Sequence, residues 1–125
     1  MTMSQTQLNV LIVDDSMLAV EMLKTALEEL GHKVVRTART GNEAIAAYKT
    51  FNPDVVTMDV TMPGMDGIAA TQKILKEFPD ARIVMVTSHA QQGTVVDALK
   101  AGAKGYIVKP FQTDKLREVL GQAVA

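Results

Sequence analysis

Residues 55–67 read VVTMDVTMPGMDG. Val55, Val56, Thr57 and Met58 lack the apolar–polar alternation of a strand with one wet face. They read as a strand buried on both sides. A lone acid, Asp59, follows, then a turn around Pro63 and Gly64. A helix is predicted from residue 67, ending at Pro79. A strand covered on both faces, handing over to a helix, is the building unit of a parallel α/β sheet.

The same unit recurs on either side. LNVLIV (8–13) is a buried strand. The helix predicted over 17–30 puts Val20, Leu23, Leu27 and Leu30 on one face, with Ser16 as N-cap and Gly31 as its stop. KVVRTA (33–38) is a second strand, and GNEAIAAYKTF (41–51) a helix closed before Pro53. A helix over 67–78, a strand over 82–87, a helix over 91–101, a strand over 105–108 and a helix over 113–123 complete the series. Leu116, Val119, Leu120 and Ala123 form the last helix's apolar stripe. Gly121 weakens its final turn by about 1 kcal/mol relative to Ala, so fraying is expected from there on. Five strands alternating with five helices through right-handed crossovers make a doubly wound sheet. Sites in such folds lie beyond the carboxyl ends of the strands.

At 125 residues the chain is long enough for one domain with its own core. It has no cysteine, which excludes disulfides, thiolate chemistry and Cys-based zinc sites. A net charge of -1 with no basic tail gives no support to nucleic-acid binding. MTMSQTQ (1–7) is polar, reads as a flexible leader, and is followed by an apolar run far too short to span a membrane. The composition reads as that of a cytoplasmic domain.

The residues at the strand ends carry the chemistry. After the first strand come Asp14 and Asp15, and after the third Asp59. The fourth closes with Thr87, followed by Ser88, and after the fifth come Lys109 and Pro110. Ala38 and Arg39, at the end of the second, stay outside the expected site. One Asp after a strand is ordinarily a cap or turn residue, and one Lys a solvated charge. The fold, however, brings all of them to one edge. Carboxylates about 5 Å apart repel by about 3 kcal/mol at an effective dielectric of about 20. Three such pairs rival the stability of a small domain, about 5–15 kcal/mol. The cluster must therefore be protonated, paired with Lys109 or occupied by a cation. Oxygen ligands in an incomplete cage suit Mg²⁺, which keeps waters and shares phosphate oxygens. With a phosphoryl group beside the metal, Asp59 is placed as a nucleophile forming an aspartyl phosphate. Lys109 and the Thr87 hydroxyl would neutralise and position it.

LIVDDS, VTMDVTMPGMDG, IVMVTS and GAKGYIVKPF together resemble the receiver domain of two-component response regulators, from about Leu8 to Leu120. The resemblance implies a receiver domain over 8–125, with the flavodoxin-like strand order 2-1-3-4-5. It implies Asp59 as the phosphoacceptor, Asp15 as a direct Mg²⁺ ligand, Asp14 as a ligand through water, and Thr61 as the donor of a backbone carbonyl. It implies Thr87 as the hydroxyl that turns toward the phosphoryl group, Lys109 as the ammonium that pairs with it, and a cis Lys109–Pro110 bond. Tyr106 matches the aromatic that changes rotamer on activation. Thr61 and His89 match the two positions that tune phosphate lifetime. A histidine kinase or phosphotransfer domain is the implied donor. The surface of the fourth helix, fifth strand and fifth helix is the implied docking face for a target.

Lys104 and Gly105 stand where receivers of winged-helix transcription factors often carry acids for subunit pairing, so a monomer is expected. The general likeness leans to stand-alone chemotaxis regulators that bind the flagellar motor switch. The alternatives are a receiver piece of a larger DNA-binding or enzymatic regulator and a phosphorelay intermediate. Apart from its own phosphorylation and dephosphorylation, no enzymatic activity is expected. A phosphohydrolase of the haloacid-dehalogenase type would need an acid where Thr61 stands. A flavin carrier would need a phosphate loop without the two acids of DDSMLA, and more aromatics than 4% of residues. His32 is expected to be solvated.

Overall fold

The computed structural model describes residues 7–88 and 92–125. The elements run β1 (Asn9–Val13), α1 (Met17–Glu29), β2 (Lys33–Ala38), α2 (Gly41–Phe51), β3 (Val55–Asp59), α3 (Gly67–Glu77), β4 (Ile83–Thr87), α4 (Gln92–Lys100), β5 (Gly105–Val108) and α5 (Thr113–Ala123). The strands form one parallel sheet in the order β2-β1-β3-β4-β5. This is the expected flavodoxin-like doubly wound architecture. The expected element boundaries hold to within a residue. Residues 1–6 of the leader, Gln91 at the expected start of the fourth helix, and His89 lie outside the described residues.

Two apolar layers sandwich the sheet. Val10, Ile12, Val55, Val84, Val86 and Ile107 meet Leu23, Ala26 and Leu27 of α1 and Leu116, Val119 and Leu120 of α5. Leu11, Val56, Met58, Ile83 and Met85 meet Ala44, Ala47 and Tyr48 of α2 and Ala70 and Ile74 of α3. Alternate residues of each central strand thus face opposite layers, and every residue of β3 and β4 is buried. Each fully buried Leu, Ile or Met side chain contributes about 1.5–3 kcal/mol of hydrophobic stabilisation.

Local signals set the helix ends. Ser16 caps α1 by accepting from the Ala19 amide at 3.2 Å, and Gly31 ends it in the left-handed region at φ 90°. The last helix does not fray at Gly121. It continues to Ala123 because Ala123 is itself buried against the α1 layer. His32 also departs from expectation. Its Nδ1 accepts the Leu8 amide at 3.1 Å, joining the loop before β2 to the start of β1, and burial lowers its pKa.

Thr57, at the centre of β3, is 1% exposed, and its hydroxyl finds no partner among the described residues. Desolvating an unpaired hydroxyl costs about 1–3 kcal/mol, and Val has nearly the same shape. Thr57→Val is therefore expected to stabilise the protein by about 1 kcal/mol, read as a higher urea midpoint. An unchanged or lower midpoint would contradict this reading of Thr57.

Candidate phosphoacceptor and metal site

The carboxyl ends of β1, β3, β4 and β5 converge on one edge. Asp14, immediately after β1, is 4% exposed and tied down on three sides. Its amide donates to the Ala38 carbonyl at 3.0 Å. Its Oδ1 accepts the Ser16 amide at 2.9 Å. Its Oδ2 accepts from the Lys109 Nζ at 2.7 Å. Ala38, left outside the site in the sequence reading, thus helps to hold it, through a backbone atom that no side-chain pattern reveals.

Asp59 was expected just beyond β3 and is its last residue, because pairing with β4 extends to Asp59↔Val86. It is 7% exposed, and the Lys109 Nζ lies 3.6 Å from its Oδ1. Asp15, more open than the other two acids, completes a cluster whose ligand oxygens all lie within 4.8 Å of one another. Lys109 arrives from the end of β5, and its amide donates to the Thr87 carbonyl at 2.8 Å. Thr87 itself is 3% exposed at the end of β4. The Lys109–Pro110 bond is cis, as the resemblance implied.

Asp59 is held at its aim from behind. The β3–α3 loop turns back so that the Gly67 amide donates to the Val60 carbonyl at 2.8 Å. Asp66 caps α3 by accepting from the Ala69 amide at 2.8 Å. A Cβ on Gly67 would collide with the Asp59 carbonyl oxygen. Residue patterning alone assigns Gly67 no role. The available signal was a glycine at the first position of a helix, where helix propensity alone disfavours it.

Thr61 is exposed in the loop, two residues after Asp59. Tyr106 stands apart. It is 40% exposed and lines a groove with Leu99 and Val108 on the α4–β5–α5 face.

Burial first, and then the Asp14 and Asp15 charges, raise the Asp59 pKa, while Lys109 pulls it down. Charges about 4.8 Å apart at an effective dielectric of about 20 interact by about 3 kcal/mol. Three carboxylates against one ammonium leave two negative charges unbalanced when all are ionised. The donor set is all oxygen, and its charge deficit matches a small divalent cation. Asp14, Asp15 and Asp59 are the residues that would hold it, and the resemblance adds the Thr61 carbonyl as an expected fourth donor. A strand-end carboxylate backed by a cation and an ammonium is equipped to attack a phosphoryl group.

Residues 10–121 match the family described as response regulator receiver domain. The chain is 46% identical over 116 residues to the chemotaxis protein CheY of Listeria monocytogenes, covering 93% of this chain and 98% of that one. It is 31% identical to the transcriptional regulatory protein DegU of Brevibacillus brevis, covering 94% of this chain and 50% of that protein. A solved structure of CheY from Borrelia burgdorferi, in complex with CheX, BeF3 and Mg²⁺, superposes with a TM-score of 0.89 at 38% identity. That likeness covers 94% of this chain and 89% of the other.

Proposed function

The chain belongs to the response regulator receiver domain family, and from that premise we propose that it takes a phosphoryl group from a histidine kinase or phosphotransfer domain onto Asp59, with Mg²⁺. It is a phosphorylation-activated switch of the chemotaxis type. The observation that carries the proposal is the placement of Asp59: rigid at a strand end, 3.6 Å from Lys109, and clustered with Asp14 and Asp15. The Mg²⁺ and BeF3 bound by the Borrelia relative support the same chemistry here.

In the transfer, an Asp59 carboxylate oxygen attacks phosphorus while the P–N bond of the phosphoimidazole donor breaks. The bonding pair stays on the imidazole nitrogen, which takes a proton from water. Bound Mg²⁺ would withdraw charge from the phosphoryl oxygens and relieve repulsion among the acids. Lys109 neutralises the charge gathering on the transferred group, and its pairing with Asp14 keeps the ammonium aimed inward. Hydrolysis reverses the gain: water attacks phosphorus and the P–O bond to Asp59 breaks.

The Thr87 hydroxyl turns toward the phosphoryl group, and Tyr106 moves into the space it leaves. Because the Lys109 amide is bonded to the Thr87 carbonyl, movement at Thr87 reaches β5 directly. The result is a shift between two packings of the α4–β5–α5 surface. A flagellar motor switch is the target most in keeping with the chemotaxis relatives. Met17, Leu18 and Met22 expose apolar side chains on α1 beside the acid pair and give the donor a rim to dock on. The protein works as a cytoplasmic monomer with no enzymatic action on other molecules. No helix among the described residues is long and apolar enough to cross a membrane. The DegU likeness supports a second reading, in which the same switch controls a DNA-binding output.

Incubation with acetyl phosphate tests the proposal by intact mass. One added phosphoryl group is expected, requiring Mg²⁺ and absent from Asp59→Asn. An adduct that persists in Asp59→Asn, or forms equally well in chelator, would overturn the assignment.

A further inference from the structure

We propose that Met65, seated against Gly41 at the head of α2, is a positioning residue that sets the loop carrying Thr61, and with it the metal side of the site, from outside that site. This rests on reading Asp14, Asp15, Asp59 and Thr61 as the Mg²⁺ ligands.

Gly41 raises the question. Glycine is a weak helix former, and Gly41 is the first residue of α2. The glycines with positive φ are Gly31, Gly64 and Gly102, so the backbone at 41 does not need one. Space does. A Cβ at Gly41 would lie 2.8 Å from the Met65 Sδ and 3.1 Å from both its Cβ and its Cγ. Rotation about χ1 could carry the sulfur and Cγ away. It cannot move the Met65 Cβ, which is fixed to the loop backbone. A side chain at 41 must therefore move either α2 or the loop by a few tenths of an ångström.

The start of α2 is the firmer of the two. Thr40 accepts the Glu43 amide at 3.1 Å on its side chain and the Ala44 amide at 3.0 Å on its carbonyl. The Glu43 carboxylate accepts the Arg39 amide at 3.2 Å. These contacts hold the residues on both sides of the helix start, which leaves the loop to yield. Residues 60–66 are pinned by two methionines on either side of Pro63 and Gly64. Met62 is 7% exposed in the α2–α3 layer, and Met65 packs against the same layer. Thr61 adjoins the first of these pins. Moving the second shifts the loop segment that carries Thr61. Residues that orient metal ligands without touching the metal commonly change affinity about 10–100-fold.

The test uses Gly41→Ala, Met65→Ala and the double variant. Mg²⁺ affinity is measured by calorimetry, amide exchange over residues 60–67 by NMR, and thermal midpoint alongside. Gly41→Ala is expected to weaken Mg²⁺ binding about tenfold and to speed exchange at the Gly67 amide. In the double variant the Sδ and Cγ contacts are gone and only the 3.1 Å contact with the Cβ of residue 65 remains, so both properties recover part of the way toward wild type. Met65→Ala alone loosens the loop and speeds its exchange, which keeps the test open even if Gly41→Ala folds poorly. Wild-type affinity and exchange in Gly41→Ala would overturn the proposal. So would a double variant as impaired as Gly41→Ala, or a lowered thermal midpoint with affinity and exchange unchanged. If the wild type binds no Mg²⁺, the metal reading falls, and loop exchange alone decides the role of Met65 by the same pattern of loss and recovery.

Discussion

Lys109→Met is expected to destabilise the metal-free protein by about 3 kcal/mol at pH 7 and to slow phosphorylation of Asp59 at least about 100-fold. Asp14 is 4% exposed, and the Lys109 ammonium sits 2.7 Å from its Oδ2. Removing that ammonium leaves a buried carboxylate without its counter-charge. Breaking a buried pair costs about 3–5 kcal/mol, and the 23% exposure of the Lys109 side chain argues for the lower end. The pH dependence follows from Asp59. Its folded pKa lies above the unfolded value, because burial and the neighbouring acids disfavour its charge. Between the two values the native state binds more protons than the unfolded one. Stability in that window therefore falls as pH rises, and the penalty vanishes below the unfolded pKa. Lys109 holds the Asp59 pKa down. Its removal extends the window upward, and the gap between variant and wild type widens from pH 4 to pH 7. Urea unfolding at both pH values, with and without Mg²⁺, measures this. A gap that narrows with rising pH, or that Mg²⁺ does not reduce, would show that Lys109 is not the counter-charge.

Gly67→Ala is expected to cost about 3 kcal/mol of stability and to slow phosphorylation by up to about 100-fold in the folded fraction. The added methyl would collide with the Asp59 carbonyl oxygen, and backbone cannot rotate aside as a side chain can. Either α3 shifts and gives up the hydrogen bond from the Gly67 amide to the Val60 carbonyl, or the end of β3 moves and Asp59 loses its aim. Gly121→Ala is the control. Nothing lies within 4 Å of a Cβ there, and the residue is helical, so a gain of about 0.5–1 kcal/mol is expected. Denaturation midpoints and acetyl phosphate rates on both variants give the comparison. Equal behaviour of the two alanines would remove Gly67 from the architecture of the site.

The fold was legible because its signals are local and agree with one another. Buried strands such as VVTM and IVMVT carry no alternation, Ser16 precedes an apolar stripe, and Gly31 and Pro79 mark helix ends. The site was legible because a parallel sheet delivers all its strand ends to one edge, so Asp14, Asp15, Asp59, Thr87 and Lys109 could be gathered by topology alone. What escaped were distances of approach. Nothing in the residue order says that Lys109 pairs with Asp14 at 2.7 Å and stands 3.6 Å from Asp59. Nor does it reveal that Gly41 and Gly67 are spaces left for a methionine and a carbonyl. His32 was misread for a related reason. A histidine beside a glycine turn looks solvated until the start of β1, 24 residues away, is laid against it.

The Lys109–Asp14 pair spans 95 residues of chain. Closing so long a loop comes at an entropic cost that only the assembled sheet recovers. On the ribosome the three acids emerge well before residue 109. A nascent chain thus presents a phosphoacceptor with no ammonium to balance it until β5 and Lys109 have been made. A chain cut short before β5 would carry the three acids but lack the ammonium that completes the edge.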